Sequence, residues 1–169
     1  AEAKKYFIER FRIGKWRMTG LLWWNVIDGW PQVSDAVVDY YGIKKLAYHY
    51  IKRSQAQLAF MCDEPRDGRV SLVVANDYGK DMLCRYEVVD LCTGATVASG
   101  EAGSKANSSS VVTELEYDPS AFLLIRWWGD AEGKNHFVTN IGEGWTYEKY
   151  TECMKKAGFY DEFEGFSAV

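Results

Sequence analysis

Leu58-Ala-Phe-Met-Cys62 and Val70-Ser-Leu-Val-Val-Ala75, with Asp67-Gly68 between them, decide the reading of this chain. Both runs are short and rich in β-forming side chains, and Val70, Leu72 and Val74 share one face of a strand. Asp-Gly between such runs is a strong hairpin signal, because a two-residue turn needs positive φ at its central positions. The same period continues toward the C-terminus. Over Met82 to Leu91, Met82, Cys84, Tyr86 and Val88 alternate with Arg85 and Glu87, and Thr93-Gly94 turns the chain into Ala95 to Ser99. The small polar stretch from Glu101 to Ser110 reads as a loop. Thr113, Leu115 and Tyr117 then alternate with Glu114 and Glu116, Ala121 to Trp128 is the most apolar strand, and Asp130-Ala-Glu-Gly133 turns into Asn135 to Asn140. About seven short strands at regular spacing predict a mainly β domain, an immunoglobulin-like antiparallel β-sandwich over residues 55–145. Residues 146–169 read as a helical tail, with a short helix from Tyr147 to Ala157 carrying Tyr150 and Met154 on one side.

Upstream of Gln57 the period changes. Ala3, Phe7 and Phe11, widened by Ile8, form a helical stripe that Gly14 ends, and the outer face is basic. The run Gly20-Leu-Leu-Trp-Trp-Asn-Val-Ile-Asp28 has no alternation, which fits a strand buried on both faces. Gly29-Trp30-Pro31 breaks it, a loop rich in Asp and aromatics follows, and a second helix runs from Ile43 to Ser54 with Leu46, Ala47, Tyr50 and Ile51 on one face. Helix, strand and helix is the order found at the end of a (β/α)8 barrel. A lone buried strand cannot pair with itself, so residues 1–54 read as the remnant of such a barrel.

With 169 residues the chain is too short for a whole barrel, which takes roughly 200 or more. Twenty basic against 24 acidic side chains remove the electrostatic case for a nucleic-acid partner, and no apolar run is long enough to suggest a membrane span. Cys62, Cys84, Cys92 and Cys153 lack the close spacing of a metal or redox motif and read as free buried thiols. With no leader-like opening segment, they favour a cytoplasmic setting. His49 and His136 are isolated and read as structural. No metal site and no cofactor is expected. Asn107-Ser108-Ser109 matches a glycosylation sequon that arises readily by chance.

Aromatic residues make up 15% of the chain, enough for either a packed core or a sugar-stacking surface. Barrel enzymes carry their reacting groups at the C-terminal ends of strands. That rule selects Trp24, Asn25, Asp28 and Trp30. A Trp face matches the C–H face of a pyranose while its N–H still donates, and a carboxylate accepts from sugar hydroxyls. Filling space between the barrel and the sandwich is the competing role for Trp23, Trp24 and Trp30. Glycoside hydrolysis needs two carboxyl groups flanking the scissile bond, and no such pair is visible: Glu2 and Glu9 lie on the first helix, and Asp35 and Asp39 in a loop.

Gly20-Leu-Leu-Trp-Trp-Asn-Val-Ile-Asp-Gly-Trp-Pro31, followed by Asp39-Tyr-Tyr-Gly-Ile-Lys-Lys-Leu-Ala-Tyr-His-Tyr50, resembles the eighth barrel strand and closing helix of glycoside hydrolase family 2, most closely its β-mannosidase-like members. Leu124-Ile-Arg-Trp-Trp-Gly-Asp130 and Lys134-Asn-His-Phe137 look like paired strands of the C-terminal sandwich in that group. The resemblance implies that Trp24 is the aromatic at the floor of the subsite for the cleaved sugar, that the Trp24–Asn25 peptide is cis, and that Asp28 and Trp30 lie at the rim. It implies a retaining β-glycosidase using two Glu residues from earlier strands, both upstream of this chain, and hence a C-terminal fragment that is inactive alone. No catalytic residue is expected here; Trp24, Asp28 and Trp30 are the expected substrate-binding residues, and a β-linked glycoside is the expected partner of the intact enzyme.

A free-standing carbohydrate-binding or interaction module is the alternative, with Trp127, Trp128 and Trp145 as a stacking platform. Adjacent Trp127 and Trp128 point to opposite faces of a strand, so only one of them can be open to solvent. A barrel remnant also implies that Phe7, Phe11, Leu21, Leu22 and Trp23 need other cover, from the sandwich or by self-association.

Overall fold

The computed structural model describes residues 1–139 and 144–160 and divides the chain into two compact units, residues 1–56 and 57–169. In the second unit, β1 (Leu58–Cys62), β2 (Arg69–Asn76) and β5 (Ser108–Glu116) make one sheet in the order β1-β2-β5. The other, in the order β4-β3-β6-β7, contains β3 (Met82–Asp90), β4 (Thr96–Ser104), β6 (Leu123–Gly129) and β7 (Gly133–Phe137). All pairings are antiparallel. The Asp67-Gly68 turn has positive φ at both residues, 51° and 73°, and Arg66 and Arg69 exchange backbone bonds across it at 2.8 and 2.9 Å. This is the geometry a two-residue hairpin turn demands.

Inward-facing side chains of the two sheets make the core of the sandwich. Phe60 of β1 stacks on Tyr86 of β3 and lies against Trp127 of β6, each at 5.6 Å between ring centroids. Asn135 of β7 donates from Nδ2 to the Phe60 carbonyl at 3.0 Å, a buried polar tie between the sheets. Trp127 fits because its partner across the β6–β7 ladder is Gly133: a Cβ there would lie 2.3 Å from the indole Cζ2. A second aromatic cluster seats α3 (Tyr147–Lys156), with Phe122 touching His136, Trp145 and Tyr150, and His136 in turn touching Phe159. His136 is therefore a core residue of this cluster. Thr146 caps α3 by accepting from Lys149 N, and Lys134 Nζ donates to the Ala157 and Gly158 carbonyls at its other end. The helix expected in the tail is part of this unit, with Met154 and Cys153 buried and Tyr150 half-buried.

One expected loop is instead strand. Glu101 to Ser104 complete β4 and Ser108 to Ser110 begin β5, leaving only Lys105-Ala106-Asn107 as the connection, with Asn107 at φ 51°. Each of these strands edges its sheet, so its small polar residues face solvent while the backbone still pairs with β3 or β2. Asn140, the expected end of β7, lies outside the described residues, as do residues 161–169 of the tail.

The first unit holds α1 (Glu2–Ile13) and α2 (Leu46–Ser54). Ile8, Val37 and Ile51 form its small core, with Leu21, Trp23, Val38 and Tyr48 packed against them. The buried face of α1 differs from the expected stripe: Phe7 is exposed, whereas Lys5 and Glu9 are buried beside Ile8 and paired with each other at 2.8 Å. Mutual neutralisation at i,i+4 lets these two charges go inside. On α2, Ala47, Tyr50 and Ile51 are buried as expected and Leu46 is exposed. The helix begins at Leu46, three residues after Ile43, because Asp39 Oδ1 accepts from the Tyr41 and Ile43 amides and holds that stretch as a turn.

Gly20 to Asp28, expected as a strand buried on both faces, has no ladder. Its ties are a single parallel bridge between Ile27 and Val38 and the bonds Asp28 N to Val38 O, Val38 N to Val26 O and Val37 N to Asn25 O. Leu22, Val26 and Ile27 are exposed. Apolar composition makes a segment suitable for a buried strand, but a strand exists only where neighbours supply its hydrogen bonds.

Candidate sugar-binding site in the first unit

The segment after Ile27 turns on Asp28. Its side chain is buried, the residue only 3% exposed, in a network built from four positions of the loop and of the residue preceding α2. Lys45 Nζ donates to Oδ2 at 2.7 Å; Ser34 Oγ and Gln32 Nε2 donate to Oδ1, the latter at 3.2 Å. Gln32 Oε1 in turn accepts from Trp30 Nε1 at 2.8 Å, so the carboxylate reaches the indole through one amide. The Lys45 hydrogen bond, followed by that of Ser34, holds the Asp28 carboxyl below the usual carboxylate range and keeps it ionised at neutral pH.

Trp30 is 67% exposed and Trp24 79% exposed. The Trp24–Asn25 peptide is cis, as the resemblance implied, and the Trp24 carbonyl accepts from Lys4 Nζ of α1 at 3.1 Å. Lys4 also pairs with Asp35 at 3.4 Å and lies over the Trp23 ring at 5.3 Å from its centre. Asn25 Oδ1 is enclosed and meets no donor among the described residues. Trp23 is half-buried on the small core, so the three tryptophans divide: Trp23 packs, while Trp24 and Trp30 present open indole faces. Beside them, Ala3, Lys4, Phe7, Leu21, Leu22 and Trp23 line an open apolar cleft of about 420 Å³.

Of the expected site residues, Trp24 and Trp30 are open to a ligand. Asp28 is not at the surface: its oxygens are taken by Lys45, Ser34 and Gln32, and it acts on Trp30 through Gln32. Those three partners were not anticipated. Asp28 and Lys45 are 17 positions apart, and no local spacing pairs them; the available signal was a carboxylate inside an apolar run, which needs a cation if it is to be buried. Three other carboxylates of this unit have partners: Glu9 pairs with Lys5, Asp35 with Lys4, and Asp39 accepts from the amides of its turn. The site can stack a flat apolar ligand face on its two open indoles.

The platform of the alternative reading is not formed. Trp127 is 3% exposed and Trp145 is buried, leaving Trp128, 43% exposed, as the open member of the three.

No family model and no curated protein matches the chain. Solved structures do. β-D-mannosidase from Dictyoglomus thermophilum is similar with a TM-score of 0.69 and 26% identity, covering 81% of this chain and 18% of that one. The exo-β-D-glucosaminidase CsxA follows at TM-score 0.58 and 16% identity, over 80% of this chain and 17% of that one. The exo-chitosanase CsxA of Amycolatopsis orientalis gives 0.57 and 15%, over 82% and 18%. The last two likenesses speak to fold. The neighbours are glycoside hydrolases, and the β-sandwich with its preceding helical unit is a fold this chain shares with a segment of them. Of these, the β-mannosidase shares the most sequence with this chain, which spans less than a fifth of that protein's length.

Proposed function

We propose that this chain is the C-terminal segment of a retaining β-glycosidase that cleaves β-mannosides or related β-glycosides. The observation that carries the reading is the asymmetry of the match: 81% of this chain against 18% of a β-mannosidase. In such an enzyme one Glu attacks the anomeric carbon while a second protonates the leaving oxygen, and water then resolves the glycosyl-enzyme. Both carboxylates would come from polypeptide upstream of Ala1. This chain's part is to bind and orient. Trp24 and Trp30 offer indole faces to the sugar's C–H face. Asp28, ionised by Lys45, acts as a positioning residue that fixes Gln32 and through it the Trp30 ring. The exposed apolar residues Leu22, Val26 and Ile27 and the cleft beside them are the surface that the missing barrel would cover, and in its absence copies of the chain would associate through it.

The reading is tested in the longer polypeptide. Trp24→Ala is expected to lower kcat/KM for a β-mannoside by at least about tenfold, the loss of one well-placed aromatic contact. Kinetics equal to those of the unsubstituted enzyme would remove Trp24 from the site.

A further inference from the structure

Lys4 lies in the first turn of α1, where the positive end of the helix disfavours a cation. Its neighbour Lys5 turns inward and is neutralised by Glu9. The Lys4 side chain takes another course and is only 17% exposed. An ammonium has three N–H donors. That of Lys4 donates to the Trp24 carbonyl at 3.1 Å and to Asp35 Oδ2 at 3.4 Å, and it lies over the Trp23 ring at 5.3 Å from its centre. Contacts in three directions commit it to the protein.

These contacts fall on both arms of the loop that carries the open indoles. Beyond Trp24, the Asn25 and Val26 carbonyls accept from the Val37 and Val38 amides, and the Asp28 amide donates to the Val38 carbonyl, so one arm holds the other. Trp24 precedes those bonds, and its carbonyl is held from α1 by Lys4. Asp35, on the opposite arm, sits between Ser34, which donates to Asp28, and the buried Ala36, whose amide donates to Ser34 Oγ. The Asp35 carboxylate is mostly exposed, so its ion pair with Lys4 contributes little. The charge-assisted bond to the Trp24 carbonyl is the stronger tie.

We propose that Lys4 is a positioning residue of the sugar site: it anchors the Trp24 backbone to α1 and so sets the direction from which the indole meets the sugar, which rests on the reading above that Trp24 stacks on the substrate. Lys4 itself does not touch the sugar. The Trp24 ring is largely open, so its backbone, more than packing around the ring, fixes where it points.

The test uses Lys4→Met, which keeps the apolar stem and removes the donors. In the folded 169-residue chain the Trp24 indole N–H resonance, assigned with Trp24→Phe, should shift, while that of Trp30, held through Gln32, should not. In the longer polypeptide Lys4→Met should lower kcat/KM for a β-mannoside by roughly three- to tenfold, and Lys4→Arg should recover part of the loss. In a Trp24→Ala background the same Lys4→Met change should alter kcat/KM by less than about twofold, because the group it positions is gone. An equal loss in both backgrounds, the mark of a merely structural role or of failed folding, would overturn the proposal. So would unchanged kinetics of Lys4→Met where Trp24→Ala is impaired. Full activity of Trp24→Ala would instead overturn the reading beneath it, and is told apart because the indole shift in Lys4→Met would then persist without a kinetic effect.

Discussion

Replacing Gly133 with Ala tests the packing of the sandwich at its tightest point. A Cβ at 133 would stand 2.3 Å from Trp127 Cζ2, 2.7 Å from Cε2 and 3.0 Å from Cη2. Carbon atoms in contact normally sit ~3.5–4.0 Å apart, so the ring would have to retreat by about 1 Å or more. It has little room, since Trp127 is 3% exposed and lies against Phe60 at 5.6 Å between centroids. Overpacking of this kind costs about 1–3 kcal/mol. Removing a strand glycine returns roughly 0.5–1 kcal/mol by restricting the unfolded chain. The net expectation is a loss of about 1–2 kcal/mol, or roughly 2–8 °C in Tm for a chain of this size. Gly103→Ala is the matched control: it too lies in a strand of the same sheet, but its Cβ would meet only Leu83 Cδ1 at 3.9 Å, an ordinary contact. Urea denaturation followed by Trp fluorescence reads both. Equal stabilities for the two variants would refute the claim that Trp127 is wedged over Gly133.

Two further substitutions separate neighbouring residues by their surroundings. Trp127→Ala should cost about 3–5 kcal/mol by emptying the core beside Phe60, whereas Trp128→Ala should change stability by no more than about 0.5 kcal/mol in the same assay. The Asp28 network gives a pH dependence of defined sign. Because its carboxyl is held below its unfolded value, its contribution is present at neutral pH and is lost as pH falls through the lowered value, below about 4. The Trp30 indole N–H resonance, anchored through Gln32, should broaden or shift on that acid titration, and in Asp28→Asn it should no longer follow the lost carboxylate; an unchanged profile in Asp28→Asn would detach Trp30 from Asp28.

The strands of the sandwich were legible because β1 and β2 are short, β-rich and buried, because the one-sided burial of β3 writes alternation into Met82 to Val88, and because Asp67-Gly68 has few other uses. Glu101 to Ser110 escaped the same reading because β4 and β5 are edge strands whose outward residues need not be apolar. In the first unit, sequence reported what the segment is suited to and not what it pairs with. Gly20 to Asp28 has the composition of a buried strand and, among the described residues, no neighbouring strands to make it one. Similarly, Phe7 belongs to an apolar stripe that nothing in that unit covers, while Lys5 and Glu9 are buried by neutralising each other. The open aromatics of the site, Trp24 and Trp30, could be picked out although the strand expected to carry them does not form. Asp28 was singled out too, but its role depends on Lys45, Gln32 and Ser34, contacts made by the fold of the loop. Cys92 was expected to be buried; its place in a turn leaves it exposed.

Turnover of a chromogenic β-mannoside tests the central proposal most directly, measured on the purified 169-residue chain and on the longer polypeptide that contains it. No turnover by the chain alone, with glycosidase activity in the longer polypeptide, is the expected pair of results. Turnover by the chain alone, or a longer polypeptide without glycosidase activity, would contradict the proposal.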